Sequence, residues 1–355
     1  MTTTIKKLWW RGNSAWLIGV MVALLTVASV TAIAGTQRWQ VNHQQMQRGY
    51  QINAANYRKS PQSFKINGQP AKSERAYYDY NDQYFSRHEF TATNGVTRTD
   101  RYQMNNYFYG IALLAGLLLS FWPRRTHYHE FLLGLGLKRS RLWWQQLQTV
   151  ALMAGTMMIS QVVHYAWIGL VIPNRYLQTF ALGDRVGSGI AVTILSVVML
   201  ALGWLIGNVT DHFWLAAVIG GLTWRWLNGL LTNTVYQLPR TGEPVMPNIW
   251  LYAHYNVASL LGLVVLAGLL SLSYATFRRW TAEPVRLKTQ PWLPLICLSL
   301  LMGIGVGALF GDVVLISFFN TYGPVIEFSG MAVVLIIWLG WLVWYRGNKG
   351  GRRNA

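Results

Sequence analysis

The sequence predicts an all-α polytopic membrane protein with about eight transmembrane helices. Of its 355 residues, 52% are hydrophobic and only 12% are charged, whereas soluble domains usually carry about 25% charged residues. Eight apolar segments approach the length of about 20 residues that a helix needs to cross the hydrocarbon core. These segments are residues 14–35, 106–123, 149–172, 187–209, 212–233, 256–277, 293–317 and 328–345. The count depends most on the second segment, which is short, and on the fourth and fifth, which meet at a tight turn.

Lysine and arginine residues predict the orientation of these helices. If both termini are inside, most cations near the spans lie in inner segments, and the short outer loops hold only Arg175, Arg185 and Arg240. Cytoplasmic loops are enriched in such residues, so we expect a multi-pass protein of the cytoplasmic (plasma) membrane with N-in, C-in topology. The net charge of +18 is then explained by orientation and by anionic membrane lipid, and no nucleic acid partner is expected.

Residues 36–105 separate the first two predicted spans and are rich in tyrosine, glutamine and asparagine. They contain ten cations, but loops longer than about 60 residues escape the charge rule, so the topology stands. We predict a small extracytoplasmic domain of mixed structure, with a hairpin around Asn67-Gly68. A disordered loop is the alternative, although the aromatic content argues against disorder.

The N-terminal residues 1–13 alternate apolar and basic side chains, which is typical of a short helix lying in the membrane interface. A charged flank without such a helix is the other interpretation. Residues 14–35 could be a signal peptide, since Ala32-Ile33-Ala34 resembles a cleavage site. The apolar run is longer than the usual signal sequence, so we expect an uncleaved first transmembrane helix.

The segment 124–148 links the second and third spans and contains the stretch HEFLLGLGLKRSRLWWQQL. Cations frame a short apolar element, and Gly134 and Gly136 weaken or bend any helix there. The segment is either an ordinary positive-inside loop or a docking element for a cytoplasmic partner.

This arrangement resembles the permease subunit of an ABC-2 type transporter, over about residues 1–277. Such permeases have an N-terminal elbow helix, six spans and a cytoplasmic coupling helix between spans two and three, which contacts a separate ATPase subunit. In many members this helix reads E-x-x-x-x-L-P-x-x-R. Here Glu130 begins the segment, Gly136-Leu137 stands where Leu-Pro is common, and Arg139 or Arg141 supplies the basic residue. The proline is missing.

The resemblance implies that this chain moves a substrate across the cytoplasmic membrane while a partner ABC ATPase hydrolyses ATP. The expected ATPase contacts are Glu130, Lys138, Arg139 and Arg141. ATP and Mg would be bound by that partner, and this chain, which lacks a phosphate loop, would bind no cofactor and would not itself be an enzyme. A second permease would complete a homodimer or a heterodimer.

The apolar segments, together with the resemblance over residues 1–277, divide the chain into segments. Residues 1–13 would be the elbow, 124–148 the coupling segment, 149–277 spans three to six, 278–292 a cytoplasmic loop, 293–345 spans seven and eight, and 346–355 a cytoplasmic tail. The outer domain at 36–105 and the two additional spans after Arg286 depart from the minimal family pattern.

Few ionisable side chains fall within the predicted spans. Gln161, His164, Arg225 and Asp312 lie at similar depth, and buried charges in membranes tend to be paired. We predict an intramembrane polar cluster that either lines a substrate path or fixes span seven against span five. Gly303, Gly307 and Gly311 are spaced by four residues and predict close helix packing.

No metal site is expected, because His127, His129 and Glu130 lack a recognised metal-binding spacing. The alternative functions are a non-transporting membrane sensor or assembly factor that uses residues 36–105 for recognition, and, less favoured, a membrane-embedded transferase. The transported substrate is not encoded in a motif, and the apolar spans favour a hydrophobic or amphiphilic cargo.

Overall fold

Long helices account for most of the residues that the computed structural model describes. The described residues are 2–66, 69–85, 106–177, 182–210, 213–232, 236–237, 244–245, 254–279, 296–301, 303, 306–307 and 324–348. Within them, four helical stretches are long and apolar enough to cross a membrane: Gly12–Gly49, Arg139–Val171, Leu182–Val209 and Tyr255–Arg278. The chain is therefore an all-helical membrane protein.

Helix α1 runs without interruption over Thr2–Lys59. The elbow predicted for residues 1–13 is therefore not a separate element, and the first third of the predicted outer domain is helical rather than mixed. Residues 36–59 include no proline and only one glycine, so nothing in them ends the helix. At 1.5 Å per residue, α1 is about 87 Å long and extends well beyond a hydrocarbon core of about 30 Å.

A small folded element follows α1. A 3₁₀ turn at Pro61–Ser63 leads into strands β1 (Lys65–Ile66) and β2 (Gln69–Pro70). Their antiparallel register pairs Ile66 with Gln69, which confirms the predicted hairpin at this place; Asn67-Gly68 itself lies outside the described residues. Helix α2 (Glu74–Asn81) completes the element, and the Ser73 side chain caps it by accepting a hydrogen bond from the Ala76 N–H.

The remaining helices follow the order of the predicted spans. They are α3 (Asn106–Arg125), α4 (Tyr128–Gly134), α5 (Arg139–Val171), α6 (Leu182–Val209), α7 (Phe213–Thr232), α8 (Tyr255–Arg279) and α9 (Pro324–Asn348). Strands β3 (Tyr236–Gln237) and β4 (Pro244–Val245) pair between α7 and α8. Residues 296–301 are helical and belong to the predicted seventh span.

Helix α6 occupies the centre of the bundle. It packs against α3, α5, α7 and α8, and 72% of its most apolar stretch is buried, compared with 17% for the stretch in α8. The apolar side chains that α5 and α8 expose, such as Leu170 and Val264, are suited to contact with lipid.

Glycines bring α3 and α6 into backbone contact. A methyl group on Gly116 would overlap the Leu200 carbonyl and lie 2.7 Å from the Trp204 nitrogen, and one on Gly203 would lie 3.0 Å from the Leu113 carbonyl carbon. Gly203 and Gly207 are four residues apart on α6 and form the small-residue stripe that permits close helix packing in membranes.

The two ends of the bundle are joined by different contacts. At the end that carries α4, which we call the α4 end, the Trp122 indole donates to the Gly12 carbonyl at 2.8 Å. At the opposite end, which we call the α2 end, Trp167 donates to the Thr36 hydroxyl at 3.3 Å. Helices α1 and α5 therefore run parallel.

Candidate functional site

Helix α4 is a single short helix with defined ends between two long helices. His127, in the left-handed region with φ of 52°, precedes it. At its other end, Gly136 has φ of 79°, its N–H donates to the Leu133 carbonyl at 2.9 Å, and the Leu137 N–H donates to the Leu132 carbonyl at 3.2 Å. This is the Schellman ending, which requires glycine at that position, so Gly136 ends the helix rather than bending it.

The two sides of α4 differ in exposure. His129 and Leu132 are buried, and the His129 ring stands edge-on to Phe277 of α8 with ring centroids 5.7 Å apart. On the other side, Phe131 is 55% exposed and Leu135 is 48% exposed. The helix is therefore anchored to the bundle by one side and presents apolar side chains outward from the other.

His129 is the buried anchor of α4. Burial and the nearby charge of Arg124 lower the pKa of His129 to about 3, so the ring is neutral at physiological pH. Its Nε2 lies 3.3 Å from the Gln146 side-chain nitrogen. Gln146 also donates to the Leu119 carbonyl at 3.2 Å and accepts from the Trp204 indole at 3.1 Å, so this amide connects α4 with α3, α5 and α6.

Arg124, at the end of α3, caps the C-terminus of α6. Its guanidinium donates to the carbonyls of Gly207 at 3.0 Å, Thr210 at 3.2 Å and Asn208 at 3.4 Å. These carbonyls have no partner within their own helix, and a cation is favoured at a helix C-terminus. The arginine was predicted only as an orientation signal, and the structure adds this contact.

Asn208 extends the same network across three helices. Its side-chain oxygen accepts from Ser120 of α3 at 2.9 Å, and its nitrogen donates to Ser273 of α8 at 2.9 Å. We refer to Ser120, Arg124, Gln146, Asn208 and Ser273 as the α4-end polar network. The sequence analysis missed it, although polar residues interrupting apolar runs were a visible signal.

The four predicted partner contacts occupy different environments. Glu130 is half-buried, and its carboxylate lies 2.7 Å from His127 Nδ1. Lys138 and Arg141 are exposed at the start of α5. Arg139 is half-buried and donates to the Arg278 carbonyl at 3.0 Å, so it makes a contact within the chain at the C-terminus of α8.

The predicted intramembrane cluster is only partly assembled in the described residues. Gln161 and His164 are both buried on α5, and His164 Nδ1 lies 3.3 Å from the Ala28 carbonyl of α1. Among the described residues, the Gln161 amide nitrogen and His164 Nε2 have no hydrogen-bond partner. Arg225 is exposed on α7, a helix that packs against α3 and α6. Asp312 lies outside the described residues.

Two of the three predicted packing glycines are described, and both face α9. A methyl group on Gly303 would lie 3.2 Å from the Leu335 side chain, and one on Gly307 would lie 2.9 Å from the Met331 nitrogen. Gly311 lies outside the described residues. In the part of the chain that the structure describes, no group of three or more histidine, cysteine, aspartate or glutamate side chains could hold a metal.

The α2 end carries a second cluster. The Trp39 indole donates to the Asp82 carbonyl at 2.7 Å, His43 contacts the Asp82 carboxylate, and the Tyr84 N–H donates to the Tyr176 carbonyl at 2.8 Å. The element after α1 is therefore bound to both α1 and the end of α5. The aromatic content that argued against disorder is used here for packing.

Comparison with protein-family models, curated proteins and solved structures found no match to this chain. The functional argument therefore depends on the geometry of the α4 end.

Proposed function

We propose that the chain is the membrane-spanning permease subunit of an ATP-driven ABC-2 type exporter. A separate ABC ATPase binds ATP and Mg, and this chain couples that ATPase to substrate movement across the cytoplasmic membrane. The supporting observation is α4: a short helix between two long helices, anchored by buried His129 and Leu132, with exposed apolar side chains on its other side. The exposed cations Lys138 and Arg141 follow it at the start of α5. A loop that serves only for orientation needs no such anchor.

The contacts of α4 indicate how a force on it reaches the bundle. His129 touches Phe277 of α8 and approaches Gln146 of α5, and Gln146 accepts from Trp204 of α6. Because packed interiors resist compression, displacement of α4 by a closing ATPase moves the ends of these helices together. The helices then rock and alternate the access of the substrate site.

The proposal includes eight spans with both termini in the cytoplasm and a second permease unit, identical or related. Helices α3 and α7, with 20 residues each, and α9, with 25 residues, are long enough to join the four apolar stretches as spans. The remaining span corresponds to residues 293–317, of which the described part is helical.

The first experiment is purification of the tagged full chain in mild detergent, with identification of the co-purifying proteins. We expect a stoichiometric ABC ATPase with the wild-type chain and its loss from the Lys138→Gln/Arg141→Gln variant. These two cations are exposed, so their removal leaves the contacts within the chain intact. Arg139 is excluded from this variant because it contacts α8.

The matched control is Arg58→Gln/Lys59→Gln, which removes two exposed cations at the end of α1. It should retain the ATPase and the same membrane insertion. Retention of the ATPase by the Lys138/Arg141 variant would refute the docking surface. A folded, monodisperse wild-type chain without any ATPase would refute the exporter and favour a sensor or assembly factor acting through the α2 end.

A further inference from the structure

A groove of about 300 Å³ lies between the N-terminal parts of α1 and α5. Its lining residues are Trp9, Trp10, Gln145, Gln148, Thr149 and Leu152. Trp10 is 45% exposed and Leu152 is 41% exposed, so the groove opens sideways on the bundle surface rather than into its core. It lies at the α4 end, where the apolar part of both helices begins.

The α5 side of the groove changes from charged to apolar along the helix. Arg141, Gln145, Gln148 and Leu152 follow spacings of four, three and four residues, which places them on one helix face. Arg141 is exposed at the start of this face, and Leu152 lies about 16 Å further along the axis. A cation, two amides and an apolar side chain thus follow one another in the order of a phospholipid's phosphate, ester and acyl regions.

The two helices that line the groove carry charges of one sign. Neither α1 nor the whole of α5 contains an aspartate or glutamate. In the sequence, Lys6, Lys7 and Arg11 flank the two tryptophans of α1. Tryptophan is enriched at the level of lipid headgroups, and basic residues near a membrane surface each contribute about 1 kcal/mol to the attraction of anionic lipid.

We propose that this groove binds one anionic phospholipid. Its headgroup contacts Arg141 and the amides of Gln145 and Gln148, and the first part of an acyl chain lies between Trp10 and Leu152. The proposal depends on α1 and α5 crossing the membrane and does not depend on an ATPase partner. Because Arg141 also belongs to the proposed ATPase contacts, the groove is tested separately at Gln148 and Leu152, which line it and are not among those contacts.

The test uses thiol protection in uncharged detergent micelles. Cys297 is the only cysteine, so Cys297→Ala gives a background without thiols, into which Gln148→Cys places one thiol in the groove. We expect added phosphatidylglycerol to slow maleimide labelling of this thiol about ten-fold and phosphatidylcholine to slow it little. The control Trp214→Cys, at an 80% exposed site of α7, should be slowed equally little by both lipids.

Two further variants test the binding contacts. Arg141→Gln should weaken phosphatidylglycerol protection about five-fold, as expected for one basic residue contributing about 1 kcal/mol, whereas Arg125→Gln, at an exposed site of α3, should leave it unchanged. Leu152→Trp should abolish protection by filling the groove. Equal protection by both lipids, or equal protection at positions 148 and 214, would overturn the proposal.

A second measurement tests the proposal without the cysteine substitutions, in case the Cys297→Ala protein does not fold. Native mass spectrometry of the unmodified chain should show one phosphatidylglycerol retained at collision energies that remove phosphatidylcholine, and Arg141→Gln should lose it. Retention that is the same for both lipids, or the same in Arg141→Gln, would also overturn the proposal.

Discussion

Replacing Arg124 with glutamine should destabilise the bundle by about 2–4 kcal/mol. The guanidinium donates to three carbonyls at the C-terminus of α6, the helix at the centre of the fold. A hydrogen bond from a charged donor contributes about 1.5–3 kcal/mol, and a cation at a helix C-terminus adds about 0.3–1 kcal/mol. Arg124 is only half-buried, and solvent weakens the contribution of each contact. The expected loss is therefore about 2–4 kcal/mol, which is less than the full sum for three hydrogen bonds.

The neighbouring residue provides the control for this prediction. Arg125 carries the same charge and is the next residue along the chain, but it is exposed. Arg125→Gln should therefore change the free energy of unfolding by less than about 0.5 kcal/mol. Arg124→Lys retains the charge without the planar fork that reaches several carbonyls, and its effect should be intermediate. Thermal unfolding in mild detergent, followed by tryptophan fluorescence, ranks the three variants. A midpoint for Arg124→Gln equal to that of Arg125→Gln would refute the capping role.

Two further predictions concern α4 and the contact between α3 and α6. Because the pKa of His129 is about 3 in the fold and about 6.5 in an unfolded chain, the unfolded state takes up the proton first as pH falls. The free energy of unfolding should therefore decrease by about 2 kcal/mol between pH 7 and pH 5. His129→Gln should remove this part of the pH dependence of the thermal midpoint. An unchanged pH dependence in this variant would contradict the burial of His129. Gly116→Leu should prevent the backbone contact with Leu200 and severely reduce the yield of folded protein. At Gly155 a Cβ would meet nothing within 4 Å, so Gly155→Leu should give the wild-type yield. The yield is measured as the monodisperse peak in size-exclusion chromatography.

The sequence predicted the helices better than their ends. The third span was predicted to end at residue 172, and α5 ends at Val171, because the polar segment that follows contains Pro173 and breaks the helix. Its start was predicted at residue 149, whereas α5 begins at Arg139. Hydropathy marks where a chain enters the membrane, but a helix continues wherever no residue stops it, and the same reason accounts for the extra length of α1.

How far the residues of the α4 end could be predicted differs for physical reasons, and the role of Lys138 and Arg141 as ATPase contacts stays a prediction. Charge identified Lys138 and Arg141, which remain exposed. Charge could not identify the cap formed by Arg124, because its partners are backbone carbonyls more than 80 positions away, and carbonyls carry no sequence signature. By contrast, Gly203 and Gly207 have the same four-residue spacing that was used to select Gly303 and Gly307, and the same criterion would have found them.

At the α4 end, two arginines cap the C-termini of other helices. Arg124, just before α4, donates to carbonyls at the C-terminus of α6, and Arg139, just after α4, donates to the Arg278 carbonyl at the C-terminus of α8. Because carbonyl acceptors carry no counter-charge, these contacts fix the bundle without neutralising either arginine. Helix α4 is thus attached on both sides to helices that are far from it in the sequence, so a force applied to it acts on α6 and α8 together.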